Sequence, residues 1–184
     1  MFDERLTAQV AARLLHRSGG SMGILKLMKL MYLVDRESYN RYGYPVTGDR
    51  AYSLPLGPVL STTYKLANGE KTLSGYWGNL MSPRQGNIIK LCGPITEDDS
   101  DQMSVADMGT VDSVFDRFGD RAEGELVNYT HDLEEYTDPE GSSAPIPPGR
   151  ILTALGKTEG EIKGMLEHLE EMDALEAVMQ GIRP

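Results

Sequence analysis

The sequence has one cysteine, Cys92, among 184 residues, so no disulfide can form within the chain. This scarcity favours a reducing compartment, and we expect a cytoplasmic protein. Long apolar runs are also missing, because none approaches the roughly 18 residues that a membrane span needs. The first ten residues, MFDERLTAQV, lack the apolar segment of a secretory signal. These absences predict one domain with a terminal extension and no membrane association.

The sequence patterns of common catalytic and metal sites are missing as well. The three histidines, His16, His131 and His168, fall in different predicted helices, and no CxxC or HExxH spacing occurs around them. Neither a GxSxG elbow nor a GxxxxGK phosphate loop is present. Acidic pairs do occur at 97–101 and 134–135, but their polar surroundings predict solvated carboxylates. The sequence therefore predicts no metal, no cofactor and no catalytic residue.

Charge is distributed unevenly along the chain, although the total is −10. Residues 1–96 carry 12 basic and 6 acidic side chains, whereas residues 97–140 carry 2 and 15. The acidic part is a poor surface for nucleic acid, because neutralising phosphates requires Lys and Arg. It predicts either a plain solvated face or a surface for a basic protein partner.

The segment LKLMKLMYLVDRESY, residues 25–39, predicts an amphipathic helix that contains one anomaly. Successive steps of about 100° assign Lys26, Lys29 and Arg36 to a polar stripe, either plain solvent surface or a short phosphate contact. The same steps place Asp35 near the middle of the apolar face, where its carboxylate would be desolvated. Burial of an unpaired charge costs several kcal/mol, so the sequence demands a partner for Asp35.

The pattern of apolar residues predicts a mainly α-helical α+β fold, a helical bundle with a small antiparallel sheet or hairpin. Helical spacing recurs in six segments, at 3–17, 21–40, 59–67, 105–118, 126–129 and 158–179. Ser21 is expected to cap the second helix, and Thr158 with Glu161 forms a capping box at the last one. Strands are expected at 50–54, 75–81 and 87–91, and a proline-rich loop at 139–148.

Residues 26–64, KLMKLMYLVDRESYNRYGYPVTGDRAYSLPLGPVLSTTY, resemble the signature of the Panacea-domain, or SocA-like, antitoxins. The residues that carry the resemblance include Lys29, Tyr32, Asp35, Arg36, Gly48, Asp49, Arg50, Gly57, Pro58, Val59, Ser61 and Tyr64. A looser similarity continues through GYW at 75–77 and ELVNYTH at 125–131, and it implies an antitoxin domain over 1–156. Residues 157–184 would then form a C-terminal amphipathic helix, packed on the domain or on the partner.

The resemblance implies a non-enzymatic antitoxin that neutralises a cognate protein toxin through direct contact. Candidate toxin contacts are Tyr76, Trp77, His131, Glu134 and Glu135, although the family often places glutamate and tryptophan after the histidine, where this chain has Glu134, Glu135 and Tyr136. Two alternatives stay open, a proteolytic adaptor that delivers the toxin to a AAA+ protease and a DNA-binding autoregulator. Nucleic-acid binding is not the expected role.

The signature also implies a partner for the buried carboxylate. Asp35 is expected to be held by Arg50, or by tyrosine hydroxyls and backbone amides near Gly57. Most signature residues are therefore expected to serve first as scaffold and second as toxin contacts.

Overall fold

The chain forms helices and two small antiparallel sheets, as a computed structural model shows for residues 1–70 and 74–182. The helices are α1 (Glu4–Arg17), α2 (Ile24–Tyr42), α3 (Ser61–Ala67), α4 (Tyr76–Leu80), α5 (Val105–Phe118), α6 (Glu123–His131), α7 (Pro148–Ala154) and α8 (Glu159–Ile182). The strands are β1 (Ser21–Gly23), β2 (Ala51–Leu54), β3 (Gly57–Leu60), β4 (Ile88–Lys90) and β5 (Ala144–Ile146). The mainly helical α+β fold predicted from the sequence is confirmed.

Helix α2 is the centre of this fold. Its Leu, Met, Lys and Arg residues are strong helix formers, and the helix ends where Gly43 adopts a left-handed conformation with φ of 81°. It packs against α1, α3, α5, α6, α7 and β3, and 11 of its 19 residues are buried. A helix enclosed by so many neighbours has little room for the polar stripe expected from its sequence.

Strands β3, β2 and β5 form one antiparallel sheet in that order, while β1 and β4 form a second. Tyr52 at the middle of β2 is paired with Val59 on one side and Pro145 on the other. Both edge strands contain proline, Pro58 in β3 and Pro145 in β5. Proline is tolerated at the edge of a sheet because the missing N–H is not needed for a second ladder. The single small sheet expected from the sequence is thus two separate sheets.

Two predicted helix starts were wrong. Ser21 does not cap α2 but lies in β1, opposite Lys90 of β4, and α2 begins after Gly23 without a side-chain cap. The helix expected from Val59 begins two residues later, because Val59 belongs to β3. In both cases pairing with a strand distant in sequence overrides the local preference.

Two other segments also differ from expectation. Residues 75–81, expected as a strand, contain helix α4, where Glu4 of α1 accepts a hydrogen bond from the Trp77 amide at 2.9 Å. The proline-rich stretch 139–148, expected as a loop, supplies strand β5, and Pro148 begins α7. Proline suits the first turn of a helix because the N–H it lacks would have no partner there.

Ion pairs between arginines of α1 and aspartates of the acidic part, residues 97–140, neutralise some of the charge that is unevenly distributed along the sequence. Arg13 binds Asp112 through two hydrogen bonds, of 2.9 Å and 2.5 Å, and this hydrogen bonding lowers the pKa of the Asp112 carboxyl. Arg17 binds Asp112 at 3.3 Å, and Arg5 binds Asp101 at 2.5 Å. The acidic residues facing α1 are therefore matched within the chain, so an outside partner is not needed to explain them.

Within the described residues, none of the helices combines the length and the apolar character that crossing a membrane requires. In the same part of the chain, His, Cys, Asp and Glu side chains nowhere gather in threes or more in a way that could hold a metal ion.

Candidate functional site

Asp35 is the first member of a buried polar network around α2. Its side chain is 2% exposed, which confirms the burial expected from its position on the apolar face. The Thr47 amide donates a hydrogen bond of 2.9 Å to Asp35 Oδ1, and the Thr47 hydroxyl donates one of 2.5 Å to Oδ2. Burial raises the pKa of Asp35 to about 7, although the two hydrogen bonds from Thr47 act in the opposite direction.

The predicted partners of Asp35 were wrong. Arg50 lies exposed at the surface, and the carboxylate is held by Thr47 and not by a tyrosine hydroxyl or by amides near Gly57. Thr47 takes this role instead. It stands in the turn between α2 and β2, where a hydroxyl and an amide point together at the carboxylate. No sequence signal identifies Thr47 in advance, because a threonine in a TGD turn has no pattern that separates it from an ordinary turn residue.

Asp49 extends the network from the turn to α3. Its amide donates to the Thr47 hydroxyl at 3.1 Å, so that hydroxyl joins Asp49 to the carboxylate of α2. The Asp49 carboxylate accepts hydrogen bonds from the amides of Thr62 and Thr63, at 3.1 Å and 2.7 Å, and from the Thr63 hydroxyl at 2.8 Å. Asp49 thereby satisfies amides in the first turn of α3, whose N-cap residue makes no side-chain cap bond.

Glu135 ties α2 to the turn that follows α6. Its side chain is fully buried, and it accepts hydrogen bonds from the Tyr32 hydroxyl at 2.9 Å and from Arg36 Nε at 2.5 Å. Burial raises the pKa of Tyr32 well above its usual range, with a further contribution from the Glu135 charge. Two expectations are corrected here, because Glu135 is not a solvated carboxylate and Arg36 is not part of a free basic stripe.

Lys29 is the second basic residue that the sequence placed on the surface and the structure places inside. Its side chain is fully buried, and Nζ donates a hydrogen bond of 2.9 Å to the Pro58 carbonyl of β3. Burial lowers the pKa of Lys29 to about 7. Lys26, one turn earlier, is half-buried and donates to the Arg121 carbonyl at 2.9 Å. The predicted stripe for phosphate contact is therefore not a surface feature.

Gly57 lets β3 approach this network closely. Its φ is +97°, and an added Cβ would lie 2.8 Å from Lys29 Nζ and 2.8 Å from the Thr130 hydroxyl. His131, next to Thr130, stacks on Tyr136 with ring centroids 4.6 Å apart. Among the described residues, His131 Nε2 is buried without a hydrogen-bond partner. A residue larger than glycine at position 57 would push these groups apart.

The sequence of this chain matches a known protein family. The sequence model of the family described as "Antitoxin SocA-like, Panacea domain" matches residues 27–136. This chain belongs to that family. No match was found among curated proteins or among solved structures.

The matched range of the Panacea antitoxin domain coincides with the buried polar network. It opens two residues before Lys29 and closes one residue after Glu135, so Asp35, Thr47 and Asp49 also lie within it. Every side chain of the network described above is therefore supplied by the family-matched part. Helix α8 lies outside that range.

Most signature residues are placed inside the domain. Seven are buried, namely Lys29, Tyr32, Asp35, Asp49, Gly57, Pro58 and Val59. Arg36, Gly48 and Ser61 are half-buried, while Arg50 and Tyr64 are exposed. Hydrogen bonds link α2, the turn before β2, the start of α3 and the turn after α6, which gives the signature a structural role.

The five candidate toxin contacts do not form one surface. Trp77 and Glu135 are buried in the domain, so their side chains are not available to a partner in this conformation. Tyr76 is half-buried beneath the guanidinium of Arg5, and His131 is half-buried. Glu134 is exposed.

An open cleft of about 1130 Å³ lies beside the network. Signature side chains from α2 and from the turn before β2 line it, among them Tyr32, Arg36 and Arg50. Leu169 and Met172 of α8 line it as well. The cleft is thus where the family-matched part and α8 meet at the surface.

Proposed function

We propose that this protein is the antitoxin of a toxin–antitoxin pair and neutralises a cognate protein toxin by direct binding. Membership of the Panacea antitoxin family, over residues 27–136, is the observation that carries the proposal. Such membership favours a regulator that acts by binding and not by catalysis. The buried network supports this view, because its charged groups make hydrogen bonds within the domain.

The signature residues act in this proposal as scaffold, and the toxin meets other surfaces. Supporting this division, Lys29, Asp35 and Asp49 are buried and engaged with neighbouring elements. Of the candidate contacts, Glu134 is exposed, and Tyr76 and His131 are half-buried. One shared scaffold with variable surfaces would allow related antitoxins to bind different toxins, since specificity is a difference in affinity set by contact residues.

The proposal is tested by co-expression with the protein encoded by the adjacent open reading frame. We expect this neighbour to arrest growth when it is expressed alone, and to become harmless and copurify when the present protein is expressed with it. An allele of the present gene with an early stop codon is the control that separates a protein effect from an RNA effect. A neighbour that is harmless alone, or that stays toxic in the presence of this protein, contradicts the proposal.

The half-life of the neighbour protein separates neutralisation by binding from delivery to a protease. After translation is stopped, binding alone predicts a toxin half-life that is unchanged or longer in the presence of the antitoxin. A half-life that shortens in wild-type cells, and recovers in cells lacking a AAA+ protease, identifies an adaptor instead.

A further inference from the structure

Helix α8 carries one apolar stripe, whose first part packs against the domain and whose second part is exposed to solvent. Ile162, Met165, Leu166 and Leu169 are partly buried against the core of the domain. The stripe then continues with Met172, Leu175, Val178 and Met179, which are 53%, 60%, 58% and 59% exposed. We call these four side chains the α8 stripe. The helix thus begins as part of the domain and continues with an apolar face in solvent.

The exposed part of this stripe is too concentrated to be ordinary surface variation. Eleven large hydrophobic side chains are exposed in the described part of the chain, and four of them lie within eight residues of α8. Their spacing puts them on one side of the helix. Scattered single hydrophobic residues need no explanation, whereas a contiguous patch with polar margins marks a binding surface.

We infer that the α8 stripe, flanked by exposed acidic side chains, is the docking surface for a basic amphipathic helix of the toxin. This inference rests on the proposed antitoxin function and deepens it, since it names the surface and the chemistry of the partner. A helix laid against an apolar stripe is a common mode of recognition, read out by anchors at spacings of three and four residues.

The acidic side chains of α8 indicate which kind of partner would bind the α8 stripe. Glu167, Glu170 and Glu171 are exposed on the same helix, whereas the exposed Asp173 is already paired with the N-terminal amine of Met1. Lys163 is the only basic residue between 159 and 175 apart from His168. Charges beside an apolar stripe select the partner and its orientation. A second copy of this helix would bring acidic margins against acidic margins, whereas a partner with Lys or Arg beside its own apolar residues would be attracted.

The position of α8 supports the same reading. The helix lies outside the family-matched residues 27–136, while its residue Met172 borders the cleft lined by signature side chains. An element outside the shared scaffold, yet adjacent to it, is suited to recognition of one particular toxin.

The first test uses the full chain and two synthetic peptides of 18 residues, both amphipathic helices with leucine on the apolar face. One peptide carries lysine on its polar face and the other carries glutamate, and binding is measured by fluorescence anisotropy. We expect the lysine peptide to bind at least about tenfold more tightly than the glutamate peptide, and Leu175→Glu to weaken that binding by about tenfold. Val105→Glu is the matched control, because Val105 is 83% exposed on α5, and its affinity should match wild type.

Equal affinity for the two peptides, or unchanged binding by Leu175→Glu, overturns the inference. Dimers of the wild-type protein that Leu175→Glu dissociates, measured by sedimentation velocity, overturn it in favour of a second copy as the occupant. Circular dichroism of both variants verifies that the helices are retained, and glutamate at an exposed helical position should preserve them.

The second test uses the protein encoded by the adjacent open reading frame. The inference predicts that Leu175→Glu loses copurification and rescue of growth, while Val105→Glu keeps both. A neighbour that binds wild type and Leu175→Glu equally overturns the docking surface and leaves the proposed function intact. A neighbour that binds neither form, when the lysine peptide binds the α8 stripe as expected, overturns the proposed function instead.

Discussion

Replacement of the buried lysine by methionine should stabilise the protein near neutral pH. Lys29 is fully buried, and burial lowers its pKa from 10.5 to about 7. Each unit of difference between the native and unfolded pKa corresponds to about 1.4 kcal/mol, so the protonated amine destabilises the native state by about 5 kcal/mol. Lys29→Met removes that cost, but it leaves the Pro58 carbonyl without its hydrogen-bond donor, which destabilises the native state by about 1–3 kcal/mol. The expected net gain is about 2–4 kcal/mol at pH 6.

The pH dependence of this gain is the sharper test. Between pH 7 and 10.5 the unfolded wild-type chain holds the Lys29 proton more tightly than the native protein does. Wild-type stability therefore rises with pH in this window relative to Lys29→Met, by about 1.4 kcal/mol per pH unit. Urea unfolding of both proteins at pH 6 and pH 9 should show the advantage of the variant shrinking by about 3 kcal/mol. Other titrating groups are common to both proteins and cancel in the difference.

Lys163→Met is the matched control for this experiment. The Lys163 side chain is 78% exposed on α8, so its stability difference from wild type should be small and independent of pH. A stability difference between Lys29→Met and wild type that stays constant between pH 6 and pH 9 would refute the lowered pKa of Lys29. A loss of stability in the variant at pH 6 would refute the cost of the buried charge, because the protonated lysine would then be more favourable than the methionine that replaced it.

Three further substitutions test the rest of the network, each by urea unfolding at pH 8. Thr47→Val removes the hydroxyl that serves the buried carboxylate of α2 and should cost about 1–3 kcal/mol, while Thr47→Ser should recover most of it. Glu135→Gln leaves the half-buried Arg36 without its counter-charge and should lower the free energy of unfolding by about 3 kcal/mol. Its control is Glu134→Gln, at an exposed neighbouring residue, which should cost less than about 0.5 kcal/mol. Gly57→Ala and Gly69→Ala meet similar backbone strain, with φ of +97° and +94°, but only the former crowds neighbouring atoms. The free energy of unfolding should fall by at least about 1 kcal/mol more in Gly57→Ala than in Gly69→Ala. Equal losses would show that the close approach at β3 does not affect stability.

Local patterns were sufficient for much of the helical architecture. The capping box of Thr158 and Glu161 forms as expected, with hydrogen bonds of 2.8 Å and 2.7 Å to the Glu161 carboxylate. The burial of Asp35 also followed from helical periodicity alone. These features depend on residues within one or two turns of each other, and such spacings are readable in a sequence.

The strand content was less predictable. Residues 21–23 and 144–146 are strands because they pair with β4 and β2, segments far away in sequence. Short strands of this kind have little intrinsic preference, and the partner decides whether they form. Local patterns also misassigned 75–81, where a cap supplied by α1 favours a helix.

The sequence by itself determined the family, most helices and the fact that Asp35 had to be buried with a partner. Only the tertiary structure decided that this partner is Thr47, that Lys29 lies inside, and that Glu135 binds Arg36 across 99 residues of chain. The physical reason is that helical periodicity distinguishes the faces of one helix but not how many of them are covered. Neighbours packed around α2 removed its solvent-facing side, and buried charges then took the hydrogen-bonding groups that the packing brought within reach.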